Sequence, residues 1–424
     1  MDFLLTPVGS AGDNFPFIGL GARLAANGHR VAVITNDHFA PLIRACGLEF
    51  VSIGTEQEWR DVIADERIWD PRRGFETVMR LVAEQNRRVF DAVEARLAPD
   101  TAVVAHTLDF ASRAIGEKTG MPVVSVQLQP SIVRTVHQLP TMTGTTNYSF
   151  MPRWLKRTVW RLIDRFLLDK HAGPVVNAPR QRLGLPPIKR VFADYIHSPL
   201  LSVGLWPEWY APAQPDYPPQ FKLTSFPLFD AFASEQVPPD VDAFLADGPP
   251  PVVFTPGSAN VHAAEYFAAA ARACAIGGHR GMLLTRHAEQ VPSDLPPGVR
   301  HFPFAPLSRT LGRCAAIAHH GGIGTVAAAL AAGVPQLVMP LSHDQPDNAH
   351  RVRKLGVGET LFPKKFTPDR AAAALARLLG DPRVKERATA IAQKCAAEDG
   401  LGETARLLER ATSAQPAPEV TGRT

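Results

Sequence analysis

Apolar residues fall in short uninterrupted blocks, each followed by a glycine-bearing turn and then by helical spacing. FLLTPV at 3–8 is the first block. The turn GSAGDNF follows, then helical spacing over 16–27 with Pro16 in the first turn, ended by Gly28-His29. RVAVIT at 30–35 is a second block. Buried strands of parallel sheets read as continuous apolar runs, so strand, turn, helix, strand predicts an α/β unit with parallel strands. A further unit lies at 101–105 (TAVVA), with a helix over 110–119 and a strand at 122–127. The same order restarts after residue 250. PVVFT at 251–255 is a strand, PGSAN a turn, 261–277 an Ala-rich helix and GMLLT at 281–285 a strand. AAIAHH at 315–320, a helix over 325–332 and QLVMP at 336–340 complete it.

The pattern therefore predicts two Rossmann-like α/β halves. The first spans 1–225 and the second 226–400, while 401–424 holds a final helix that returns to the first half and a frayed tail. The proline-rich stretch 211–250 reads as the linker. Asp240-Val241-Asp242 lies within it, after two prolines, and reads as a helix N-terminus rather than a metal site.

One segment has a different texture. Over 150–170, Leu155, Val159, Leu162, Ile163, Phe166 and Leu167 share one helical face. Arg153, Lys156, Arg157, Arg161 and Arg165 spread over the rest. Two readings stay open: a surface helix packed on its own domain, or a basic amphipathic helix that touches an anionic membrane or lines an acceptor pocket.

Composition narrows the classes. The 424 residues are 45% hydrophobic and 20% charged, an ordinary globular balance. A net charge of +4 is too small a bias to point to nucleic acid as a partner. The four cysteines, at 46, 274, 314 and 395, have neither metal-ligand nor redox spacing, so a reducing cytoplasm is expected. The first residues lack the basic start of a secretion signal, and no apolar run reaches the roughly 18 residues of a membrane span. Peripheral contact with the inner membrane face stays open.

In doubly wound sheets ligands bind outside the carboxyl ends of the strands. The densest polar signal there is His-His-Gly-Gly-Ile-Gly-Thr at 319–325, between a strand and a helix. Glycines let backbone approach a ligand, and free N–H groups at a helix start attract anions. With a histidine and the Thr325 hydroxyl, the turn suits a diphosphate held without metal. Ser-His-Asp-Gln-Pro-Asp-Asn at 342–348 concentrates polar groups past the next strand, with Asp344 and Gln345 able to bind sugar hydroxyls.

Residues 304–358, which carry both motifs, resemble the nucleotide-sugar-binding signature of family 1 glycosyltransferases. Residues 9–31 are similar to that family's acceptor-side loop and helix. GSAGDNFPFIGL, FPLFD at 226–230 and HDQPDNA look most like the subgroup around the rhamnosyltransferase of rhamnolipid synthesis, and like related bacterial and sterol glycosyltransferases. The resemblance implies the GT-B fold, two Rossmann-like domains facing across a cleft, and a nucleotide-diphosphate sugar as co-substrate. Phe304 falls where plant members stack a Trp on the base. His319, Gly322, Gly324 and Thr325 fall on the diphosphate positions, and Ser258 where the family contacts phosphate. Asp344 and Gln345 fall on the pair that reads the sugar. Two positions depart: Val326-Ala327-Ala328 offers no acid for the ribose, and Leu307 replaces a Gln. Asp13 occupies the place of the family's catalytic His, and His106, near Asp109, aligns with the acid that orients it; Asp13 and His106 are the catalytic candidates.

The implied reaction is an inverting, metal-independent transfer of a hexose from a UDP- or dTDP-linked donor to a hydroxyl of an apolar small molecule or lipid. Trp154, Trp160, Trp206 and Trp209 lie in the acceptor region, and several are expected to line a cleft or a membrane-facing mouth. The narrower alternative is a dTDP-rhamnose to hydroxyalkanoate transferase. Rivals from other classes are a nucleotide-sugar epimerase of the same fold, a non-catalytic auxiliary subunit, and a nicotinamide-dependent oxidoreductase. The last lacks the G-x-G-x-x-G spacing.

Overall fold

A computed structural model describes residues 1–70, 73–142, 150–230, 236–257 and 263–413. The chain forms two compact units. One comprises Met1–Pro140, Thr146–Phe229 and the segment from Asp399; the other comprises Asp230–Glu398 with Thr141–Thr145.

The first unit holds a parallel sheet of β1 (Asp2–Thr6), β2 (Arg30–Thr35), β3 (Glu49–Ser52), β4 (Thr101–His106), β5 (Val123–Gln127), β6 (Ser202–Gly204) and β7 (Phe221–Leu223). Its order is β3-β2-β1-β4-β5-β6-β7. The second unit holds β8 (Val252–Thr255), β9 (Gly281–Leu284), β10 (Val299–Phe302), β11 (Ala316–His319), β12 (Gln336–Val338) and β13 (Gly358–Thr360). Its order is β10-β9-β8-β11-β12-β13. Counted within each unit the order is the same: third, second, first, fourth, fifth, sixth. Both sheets reverse direction between first and fourth strands, which opens a crevice at that switch point.

Apolar burial on both sheet faces holds each unit together. In the first helix, Ala11–Ala26, the buried Phe17, Leu20 and Leu24 recur at three- and four-residue spacing against Phe3 and Leu5 of β1. Each such fully buried side chain contributes about 1.5–3 kcal/mol. The last helix, Gly400–Ser413, adds Ala405 and Leu408 to the same core. Glu409 accepts a hydrogen bond from Asn27 Nδ2 at 2.7 Å, and the Thr404 and Thr224 hydroxyls meet at 3.0 Å.

The structure corrects several sequence expectations. The first helix starts at Ala11, not 16, because Ser10 C=O accepts from the N–H groups of Asp13 and Asn14. Pro16 then lies in the second turn, where its missing N–H leaves only the C=O of exposed Gly12 without an intrahelical partner. The stretch 211–250 is not all linker: it contains β7 and the helix Pro239–Ala246. Asp240 and Asp242 sit in that helix's first turn, and Asp242 pairs with Arg313 at 2.6 Å. Over 150–170 the expected apolar face is split: Leu155, Val159 and Ile163 are half-buried, and Arg153, Arg157, Arg161 and Arg165 are exposed. Lys156 and Asp164 are buried, while Leu162, Phe166 and Leu167 are exposed. Cys46, Cys274, Cys314 and Cys395 are free thiols. No helix among the described residues is long and apolar enough to cross a membrane.

Candidate active site

In the first unit, Asp13 lies in the first turn of the first helix, just past β1. Its Oδ2 accepts from Ser10 N–H at 2.8 Å and from Ser10 Oγ at 3.1 Å. Burial pushes its carboxyl up to about 6, and the Ser10 backbone and hydroxyl bonds oppose that rise only in part. His106 ends β4, the neighbour of β1. It is buried, and its Nδ1 accepts from Leu108 N–H at 3.2 Å. The ring proton is therefore on Nε2, which faces Asp13 Oδ1 at 3.7 Å. Burial pulls the His106 pKa down to about 3, so the ring is neutral. The structure thus brings the two catalytic candidates together: a half-buried carboxyl with a neutral imidazole behind it. Asp109 is buried, accepts from Ser112 N–H at 2.9 Å and from Thr6 Oγ1, and caps the helix Phe110–Thr119.

In the second unit, β11 ends at His319 and the helix Ile323–Ala331 starts behind Gly322, which caps it with no side chain. The first N–H groups of that helix have no acceptor within it. Gly324 is exposed with open space around it, and Thr325 is half-buried beside it. His319 does not reach this surface. It is fully buried, accepts from Gly321 N–H through Nδ1 at 3.0 Å and donates through Nε2 to Gln336 Oε1 at 3.0 Å. Both ring nitrogens are used inside the loop, so His319 braces the turn rather than contacting a ligand directly.

The less buried histidine is His320, which sequence reasoning weighed beside His319 before assigning the diphosphate contact to His319. Its ring lies against two glycines: a Cβ on Gly257 would come 2.5 Å from its Cε1, and one on Gly322 2.5 Å from its Nε2. Gly257 also has a φ of +89°, so the turn after β8 needs glycine twice over. His320 Nδ1 is buried with no hydrogen-bond partner, and burial pulls its pKa down to about 4. The signal was present in the doubled His-His: alternation along a strand turns one ring into the protein and the next the other way.

The loop after β12 is tied to this turn. Asn348 donates to Gly321 C=O at 3.0 Å and to Asp344 Oδ2 at 2.7 Å. Gly321, at φ +93°, passes too close to Val338 and Gln345 for any side chain. Gln345 is buried and its Oε1 accepts from Leu341 and Ser342 N–H at 2.8 and 3.2 Å, so only its amide N–H groups remain for a ligand. Asp344 is half-buried at the start of the helix Gln345–Lys354. Phe304, past β10, is half-buried with the Arg286 guanidinium 5.8 Å over its ring, a neighbour the sequence did not reveal. Ser258 lies outside the described residues. Of the four tryptophans, Trp206 is core, Trp209 packs on Phe226, Trp160 lies under Arg134 and Trp154 is exposed.

Comparisons with known proteins fit this geometry. Residues 3–138 match the glycosyltransferase family 28 N-terminal domain, and residues 281–410 match the erythromycin biosynthesis protein CIII-like C-terminal domain. The chain is 30% identical to O-mycaminosyltylonolide 6-deoxyallosyltransferase of Streptomyces fradiae, covering 96% of this chain and 97% of the relative. It is 30% identical to vancomycin aglycone glucosyltransferase of Amycolatopsis orientalis, covering 97% and 98%. Among solved structures, the kitacinnamycin glycotransferase superposes with a TM-score of 0.74 at 21% identity, covering 97% and 99%. Glycosyltransferase VinC in complex with dTDP gives 0.68 at 21%, covering 98% and 100%. The chain belongs to the glycosyltransferase family of these relatives and has the GT-B fold. The narrower likeness to the rhamnosyltransferase of rhamnolipid synthesis is not shown by these relatives, which act on other acceptors by name.

Proposed function

We propose that this glycosyltransferase moves a hexose from a nucleoside-diphosphate sugar, thymidine- or uridine-linked, to a hydroxyl of an apolar natural-product or lipid acceptor. The observation that carries the donor reading is the helix start at Gly322, which no side chain caps, with the His320 ring, whose Nδ1 has no hydrogen-bond partner, beside it. Unopposed amide N–H groups and the positive end of the helix dipole suit a diphosphate. The family names and the dTDP complex of VinC support a nucleotide donor.

The mechanism follows from the groups present. The acceptor O–H donates to Asp13, and the proton passes to that carboxylate as the oxygen attacks the anomeric carbon. The glycosidic bond to the diphosphate breaks on the opposite face, so configuration inverts. Asp13 with a pKa about 6 is ionised at neutral pH yet basic enough to hold the proton late in the step. His106 is a positioning residue: its Nε2–H faces the far carboxylate oxygen. The charge that grows on the diphosphate is met by the helix N–H groups and by His320, which is neutral and acts as a hydrogen-bond donor. No metal is assigned a role. Asp344 and the Gln345 amide are assigned to the sugar hydroxyls, and Phe304 to the base.

The test is a panel of UDP-glucose, dTDP-glucose and dTDP-rhamnose scored by thermal shift, then product analysis with apolar acceptors and NMR of the anomeric configuration. A donor that raises the melting temperature and yields an inverted glycoside supports the reading. Conversion of the donor alone into another nucleotide sugar, or a retained anomer, refutes it.

A further inference from the structure

The face that the helix Arg153–Ile163 and the wider π-helical turn Asp164–Leu168 turn outward is opposite in character to an ordinary solvent face. Inward, the helix is held by polar groups. Asp164 pairs with Arg134, Lys156 Nζ donates to His137 C=O at 3.3 Å, and Trp160 Nε1 donates to Thr135 C=O at 3.1 Å. Outward, it shows large apolar side chains: Trp154 is 66% exposed, Leu162 51%, Phe166 66% and Leu167 45%. These are four of the ten large exposed hydrophobics among the described residues, gathered on 14 consecutive positions. The π turn contributes to this, since the extra residue in its wider loop leaves Arg165, Phe166 and Leu167 all exposed.

Charge selects the occupant. Arg153, Arg157, Arg161 and Arg165 are exposed on the same segment, and none of them forms an ion pair among the described residues. The one acid of the segment, Asp164, is buried against Arg134. A second copy of this face would bring eight unpaired arginines against one another, so self-association is disfavoured by its own charge. A plain apolar acceptor has no use for four cations. A surface that is apolar a few ångströms down and anionic at its head groups satisfies both sets at once: the guanidinium groups reach phosphates while the rings and Leu side chains enter the acyl boundary.

We propose that this helix face docks the enzyme on an anionic lipid bilayer. The inference is independent of which sugar or acceptor the enzyme uses.

The test is sedimentation of the full chain with sucrose-loaded vesicles, either pure phosphatidylcholine or an equimolar mixture with phosphatidylglycerol. The expected result is co-sedimentation with the mixed vesicles that is at least about tenfold stronger than with phosphatidylcholine and is lost in high salt. The charge variant R157E/R161E is expected to weaken binding to mixed vesicles about tenfold or more. The apolar variant L162S/F166S is expected to weaken it comparably, because insertion is lost. Both variants should keep the wild-type melting temperature and donor-induced thermal shift, which shows that they fold. Absence of binding to mixed vesicles overturns the proposal. So does a concentration-dependent dimer that L162S/F166S abolishes, which would make the face a protein interface. A raised KM of L162S/F166S for a water-soluble acceptor, with vesicle binding intact, assigns the face to the acceptor and overturns it as well.

Discussion

The two units share one strand order and differ at one corner. In the first unit, Thr6 of β1 sits beside Ala105, and the next residue of β4 is His106. In the second, Thr255 of β8 sits beside His319, and the next residue is His320. His106 and His320 therefore occupy corresponding places at the switch point of each sheet. Their surroundings are opposite. His106 faces a carboxylate, Asp13, and the helix after its strand is capped by another, Asp109. His320 faces Gly257 and Gly322, and the helix after its strand carries no side-chain cap. Where both helix starts are neutralised by acids, an anion is repelled and a proton can be accepted. Where the start is bare, an anion is attracted. Under the function proposed above, one fold would supply a basic corner and an anion-binding corner by exchanging carboxylates for glycines.

The largest effect is expected from removing the acid in the first unit. Asp13→Asn keeps the shape and can still accept from Ser10, but it cannot take a proton. Turnover should fall by about 10²–10⁴-fold. Stability should move the other way. The folded pKa, about 6, lies above the usual 3.8, so Asp13 favours the fold most below pH 3.8, and that contribution is gone once the pH has risen past about 6. At pH 8 the buried carboxylate is a liability that Asn lacks, so the variant should melt no lower than wild type. Loss of turnover together with a lowered melting temperature would make Asp13 a helix cap only. In the wild type, kcat/KM should fall tenfold per pH unit below about 6, checked by a pH–rate profile.

Next in size is the converse change: making the second corner resemble the first. Gly324 is exposed with room for a side chain, so Gly324→Asp places an acid in the first turn of the helix Ile323–Ala331. An acid there stabilises a helix by about 0.3–1 kcal/mol and repels a diphosphate. Donor affinity, read by thermal shift or calorimetry, should drop about 30–100-fold, the worth of two to three kcal/mol. Unchanged donor affinity in a folded variant would remove the diphosphate from this helix.

The paired histidines separate a ligand contact from a brace. His320→Ala should weaken donor binding about tenfold, one hydrogen bond to a charged group, with little change in stability. His319→Ala should do the reverse. It strands Gly321 N–H and Gln336 Oε1 in the interior, where each unpaired group costs about 1–3 kcal/mol. Its signature is a lower melting temperature with donor affinity retained in the folded fraction.

These contrasts mark how far the sequence could be read. The long apolar blocks at 3–8, 30–35, 101–105 and 122–127 all became strands, as did those at 251–255, 281–285, 315–320 and 336–340, because a fully buried parallel strand leaves a continuous signature. β3, β6, β7, β10 and β13 passed unread. They are three or four residues long, four of the five are edge strands and none alternates strictly between buried and exposed, so neither period nor length distinguishes them from loop. Both glycine turns of the site were legible, since glycines crowd only where backbone must bend or come close. The choice between His319 and His320 was not, because it depends on which way the last strand residue points. The helix face at 153–168 was legible only in part: the arginines lie outward as expected, but the apolar set is split, with Leu155, Val159 and Ile163 half-buried and Leu162, Phe166 and Leu167 exposed. Apolar spacing says which residues share a face, but Arg134 and the backbone of Thr135 and His137 decide which face is held down.

The smallest effect concerns His106, and it sharpens what that ring does for Asp13. Neutral at any working pH, with a pKa held near 3, it cannot itself be the base. Its Nε2–H lies 3.7 Å from Asp13 Oδ1, longer than a normal hydrogen bond, so it favours the carboxylate only through its dipole. His106→Phe removes that dipole and keeps a ring against Phe17, whose centroid is 6.0 Å away. The Asp13 carboxyl should then become harder to ionise, and the acid limb of the pH–rate profile should move upward by less than about one unit. At pH 8 the variant should lose only a few-fold in turnover, since Asp13 remains mostly ionised there. A loss as large as that of Asp13→Asn at pH 8, with no shift of the limb, would instead give the proton transfer to His106. A limb that moves downward would mean that the ring opposes the carboxylate's charge, and the corner would then differ from the His320 corner by more than its acids.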